Sequence, residues 1–195
     1  RDSLHYDEIK IIAFVRSPDS LFLSIYNQNT KEPKNKFQRP LSSLAEDPAN
    51  IHSDMHMKMC IENWASVFGK NNISLHCYED GSPLQSILTL LNLPADAIST
   101  STRINESVPA AVVEIMRLSK VFDIPPELRS DLFTIANRRF SGFPKLSLSN
   151  EDRCKIIRLM QGEMDDLFAA YGRENPYREE NIDLSSEAPD AVRPL

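Results

Sequence analysis

Glycine is scarce in this chain, and its placement excludes more than its number does. The five glycines, Gly69, Gly81, Gly142, Gly162 and Gly172, stand alone. No GxxxxGK[ST] or shorter Lys-Thr-Gly run is present, so the sequence carries no phosphate-cradling loop of the Walker type. Cysteine is equally sparse. Cys60, Cys77 and Cys154 are far apart and form no CxxC, which excludes a zinc knuckle or a disulfide framework and fits reduced thiols in the cytoplasm. Of the four histidines, His52 and His56 are spaced i, i+4, yet the Glu of an HExxH motif is missing, so no metal is expected. No apolar run approaches the roughly 20 residues a membrane helix needs. The net charge of −6 argues against a nucleic-acid-binding surface, so any anion site must be local.

What is there reads as an ordinary globular α/β chain. IKIIAFV, residues 9–15, is a β-branched apolar run, as in a parallel strand buried on both faces. Ser17 and Pro18 then open a helix expected to reach Lys31, since proline costs nothing in a first turn. KEPKNKFQRP reads as an exposed loop. A helix over about 54–68 carries Met57, Ile61, Trp64, Ala65 and Phe68 at helical spacing, and Gly69 ends it. Trp64, Phe68 and Tyr78 are read as core. NISLHCYE, residues 72–79, is a second strand, and Glu79 and Asp80 at its end suit a cap or turn, or else face the cleft. Further helices are expected over 84–93, 109–122, 126–138 and 150–171. The chain is thus expected to be an α/β domain over 1–172, helical from about 107. Residues 173–195 are expected as an extended or loosely attached tail.

The segment FVRSPDSLFLSIYNQNTK, residues 14–31, carries the clearest chemistry. Arg16 stands at the carboxyl end of the first strand, where open α/β sheets bind ligands. A guanidinium grips a phosphate with two N–H bonds, a serine hydroxyl adds a third donor, and a helix start adds free N–H groups. Ordinary roles compete with this one. Arg16 could pair with Asp19, and the stripe Ser24, Asn27, Gln28, Lys31 could be a solvated face. His5, near the first strand, has nothing around it that marks it as a base.

Arg16, Pro18 and Ser24 form an R-x-P-x5-S pattern after an apolar strand. It resembles the 3′-phosphate motif of sulfotransferases that use PAPS (3′-phosphoadenosine 5′-phosphosulfate). ENWASVFGKNNISLHCYED, residues 62–80, is similar to the W-x-x-x-F-G and Y-E-D segment of bacterial carbohydrate-type members. INESVPAAVVEIMRLSKVF and LSNEDRCKIIRLMQGEMDDLFAAYG resemble their helical back. The resemblance covers most of residues 9–172. It implies a partial P-loop-like parallel sheet with flanking helices, with Arg16 and Ser24 binding the cofactor's 3′-phosphate. Asn27, Gln28 and Lys31 would line the cofactor or acceptor cleft. It also implies sulfuryl transfer from PAPS to the hydroxyl of a small molecule or saccharide, without a metal. The phosphosulfate loop would lie in sequence preceding this chain and the catalytic residues there or just after it, and no catalytic residue is assigned. Two alternatives remain open at this point: a non-catalytic interaction domain of the same fold, and a P-loop nucleotide kinase.

Overall fold

The computed structural model describes residues 9–45, 55–94, 98 and 107–181. Among them the chain is α/β and mostly helical. The order is β1 (Ile11–Val15), α1 (Pro18–Lys31), α2 (Leu41–Leu44), α3 (Met57–Phe68), β2 (Ile73–Cys77), α4 (Pro83–Leu90), α5 (Ala110–Val121), α6 (Pro126–Arg139) and α7 (Asn150–Ala170). Two compact units interleave along the sequence. The described residues within 1–17, 56–101 and 162–175 make the first; those within 18–55, 102–161 and 176–181 make the second.

The first unit holds the sheet. β1 and β2 pair in parallel, Ile11 opposite Ile73 and Val15 opposite Cys77, so both strands end side by side. In β2 the pleat sends Ile73, Leu75 and Cys77 inward, while Ser74 and His76 stay half-buried. His76 meets Phe14 across the register at 5.5 Å between ring centroids. The expectation that β1 is buried on both faces needs correction. Only Val15 is buried, and Ile11 to Phe14 are half-exposed, because β2 is the one strand paired with it among the described residues. One backbone acceptor of β2 is covered by a side chain instead: Arg173 donates to the Leu75 carbonyl at 2.6 Å.

Helix α3 begins at Met57; Asp54, its expected start, lies outside the described residues, as do His5 and His52. It buries Met57 and Ile61 only. Trp64 is 54% exposed and Tyr78 44%, so neither is core, and Phe68 is half-buried. Trp64 and Phe68 stack on each other at 5.6 Å, which shields part of both rings without a covering element. Gly69 takes φ +83°, a conformation a side chain rarely adopts, and its N–H closes the helix on the Ala65 carbonyl.

The second unit is helix on helix, with α1 against α5 and α5 against α6. Phe22 and Tyr26, one turn apart on α1, are buried, as are Val112, Val113 and Met116 of α5. Fully burying such a side chain contributes about 1.5–3 kcal/mol. Ser149 caps α7: its hydroxyl accepts the Asp152 N–H at 3.1 Å and donates to the Asp152 carboxylate at 2.8 Å. The loop after α1 is better held than its composition suggests. Gln38 donates to the Lys120 carbonyl at 2.8 Å, Arg117 to the Gln38 carbonyl at 3.0 Å and Arg129 to the Pro33 carbonyl at 3.0 Å. The tail expected after Gly172 is likewise anchored in its described part, where Asn175 and Tyr177 are buried.

One buried cation organises this unit. Lys120 is 1% exposed, and its Nζ donates at 2.7 Å to the carbonyls of both Asn29 and Thr30. These belong to the last turn of α1, whose carbonyls have no partner within the helix. Burial, and next the charge of Arg129, push the ammonium down from 10.5 to about 8. Between those two values the unfolded chain holds a proton that the folded one does not, so this group makes stability rise with pH. Urea denaturation should therefore show wild type gaining roughly 1–3 kcal/mol relative to Lys120→Met from pH 8 to pH 10.5. A constant difference across that window would contradict the assignment.

Candidate functional site

Parallel pairing brings the strand ends of the first unit into one corner. Arg16 follows Val15, and the single turn Tyr78–Asp80 follows Cys77. The Arg16 guanidinium lies 5.1 Å from the centroid of the Tyr78 ring. Its Nε is buried and has no hydrogen-bond partner among the described residues. The two carboxylates of the corner have other neighbours. Glu79 accepts the Ser17 N–H at 3.1 Å, tying one strand end to the other, and Asp80 sits 3.9 Å from Nη2 of Arg173. Glu79 therefore links the strand ends rather than only closing its own turn. Asp19, the carboxylate nearest to Arg16 in sequence, is 4% exposed and engaged by Arg153 at 2.9 Å.

The remaining residues singled out in the sequence ride on α1, in the second unit. Ser24 is exposed. Asn27 does not face an open cleft: it is 7% exposed, with its Oδ1 buried and unpartnered among the described residues. Gln28 and Lys31 line a cavity of about 640 Å³ together with Phe133, Thr134 and Asn137 of α6. At 1.5 Å per residue, Lys31 lies about 10 Å along the axis from Ser24. The stripe thus divides into an exposed hydroxyl, a buried amide and a pocket wall.

Two features at the site carry no local signal in the sequence. Tyr78 is a platform for Arg16, although an aromatic at a strand end reads as core. Arg173 reaches the same strand end from beyond α7, within 3.9 Å of both the Cys77 sulfur and Asp80. Elsewhere in this unit, His56 Nδ1 lies 3.0 Å from Glu163 Oε2, while the Lys58 N–H holds the other oxygen at 3.1 Å. Among the described residues no group of three or more His, Cys, Asp or Glu is gathered for a metal, and no helix is long and apolar enough to cross a membrane. The three cysteines are free thiols. Neither family models, nor curated proteins, nor solved structures give a match to this chain.

The Arg16–Tyr78 contact is measurable. A double-mutant cycle of Arg16→Met and Tyr78→Leu, read by urea denaturation, should return a coupling of about 0.5–1 kcal/mol, the usual size for a partly exposed cation–π pair. Additive effects would show that the two side chains do not interact in solution.

Proposed function

We propose that this chain serves a PAPS-dependent sulfotransferase, a sulfotransferase-like α/β domain in which Arg16 binds the 3′-phosphate of the sulfuryl donor. The observation that carries the reading is the state of Arg16. It stands at the carboxyl end of a parallel strand, laid over an aromatic ring, with a buried Nε that no described residue satisfies. A buried donor left unpaired costs about 1–3 kcal/mol, more when charged, and a bound oxyanion removes that cost. The R-x-P-x5-S pattern supplies the identity of the anion, and Ser24 belongs to the proposal through that pattern alone. Asn27 is at most a second layer here, since it is buried.

In this reading PAPS supplies the sulfuryl group, and an acceptor hydroxyl on a small molecule or saccharide receives it. Arg16 orients the nucleotide and offsets charge on its phosphate. Tyr78 lies against the guanidinium and limits the directions its forked N–H groups can take. Glu79 keeps the two strand ends together through the Ser17 N–H. A reducing, cytoplasmic setting accords with three free thiols.

Calorimetric titration of PAP, the desulfated product, tests this directly. The chain should bind it saturably, and Arg16→Ala should weaken binding roughly ten- to hundred-fold, the value of one or two charge-assisted hydrogen bonds. Equal affinity for the wild type and Arg16→Ala, or no binding by either, would overturn the proposal and favour an interaction domain of similar fold.

A further inference from the structure

The cavity on the second unit has a chemistry of its own. It lies between the last turn of α1 with its following residues and one face of α6, where Ser130, Phe133, Thr134 and Asn137 recur at helical spacing. It is an open groove of about 640 Å³ rather than an enclosed cavity, so a ligand lies along its walls. The walls are mixed. Phe133, Val108 and Pro33 give apolar area; Gln28 and Asn137 give carboxamides, each with two donors and an acceptor.

Charge narrows the choice of ligand. Lys31 is the one cation of the lining and Glu32 follows it in the same wall, so the formal charges cancel. The last-turn carbonyls of α1 are already held by the Lys120 ammonium, so the helix end adds no net pole to the cavity. Three apolar residues are too few for a lipid tail, and one aromatic ring with two amides and two hydroxyls is too polar for it. A neutral, polyhydroxylated ring meets every one of these conditions. Its C–H face covers Phe133, and its neighbouring hydroxyls pair with amides that donate and accept at once.

We infer that this cavity is a binding site for a neutral saccharide, with Phe133 as the stacking surface and Gln28 and Asn137 as the hydroxyl-reading groups. The site shares no residue with the Arg16 corner. It stands whether or not that corner binds a nucleotide.

Saturation-transfer NMR and calorimetry on the full chain test it, with methyl glucoside, methyl galactoside, N-acetylglucosamine, lactose and maltose as probes. At least one should bind saturably with a dissociation constant in the millimolar range or below. Asn137→Leu and Phe133→Ala should each weaken that binding about tenfold, and so should Gln28→Leu, an exposed position whose change leaves the core untouched. Asn137→Leu and Phe133→Ala should leave the PAP titration unaltered, which separates this inference from the sulfotransferase reading. No saturable binding of any probe up to about 50 mM, well above the millimolar range, would overturn it. So would variants that bind as the wild type does, or inorganic phosphate competing for the same site.

Discussion

Everything proposed for the first unit depends on β1 and β2 being parallel neighbours. An antiparallel pair would put the end of one strand beside the start of the other. Parallel pairing puts Val15 beside Cys77, and therefore Arg16 and Ser17 beside Tyr78 and Glu79. Residues more than sixty positions apart then interact through one turn of chain each: a guanidinium on a ring, and a backbone N–H on a carboxylate. Two strands present few backbone bonds to hold such a register. The Glu79 bridge and the Arg173 donation to Leu75 add the polar contacts that further strands would otherwise supply.

In the second unit the corresponding constraint is Lys120. A helix end left unsatisfied in a packed interior is costly, and α1 ends against α5. Lys120 meets that cost with two hydrogen bonds from one ammonium, at the expense of burying a charge. Its lowered pKa records that expense. Arg129, also buried, does the same for Pro33 in the turn beyond. The residues that line the cavity between α1 and α6 from the α1 side are thereby fixed from behind by two cations that do not themselves line it.

Much of this was legible in the sequence, for local reasons. The change from β-branched residues to Ser17-Pro18 marks the start of α1, and KEPKNKFQRP marks its end at Lys31. Periodicity and prolines likewise set α5 and α6 nearly to the residue. The four-residue helix α2 has too few positions to show a period. Helical spacing in α3 identified a face, but spacing does not say how much of that face a neighbour covers, and so Trp64 read as core while standing exposed. Lys120 with Asn29, Arg173 with Leu75 and His56 with Glu163 are about a hundred residues apart, and no local pattern joins them. The division of the α1 stripe also needed structure. Asn27 and Gln28 are adjacent in sequence, yet the helix turns one into the core and the other into a cavity wall.

The central claim is that Arg16 recognises a phosphate at the 3′ position rather than a nucleotide in general. Comparing the affinity of this chain for PAP with that for adenosine 5′-monophosphate isolates that one group. The account predicts that PAP binds at least about tenfold more tightly, with the margin shrinking as salt is raised, because the lost contact is charge-assisted. Equal affinities for the two nucleotides at low salt would contradict it.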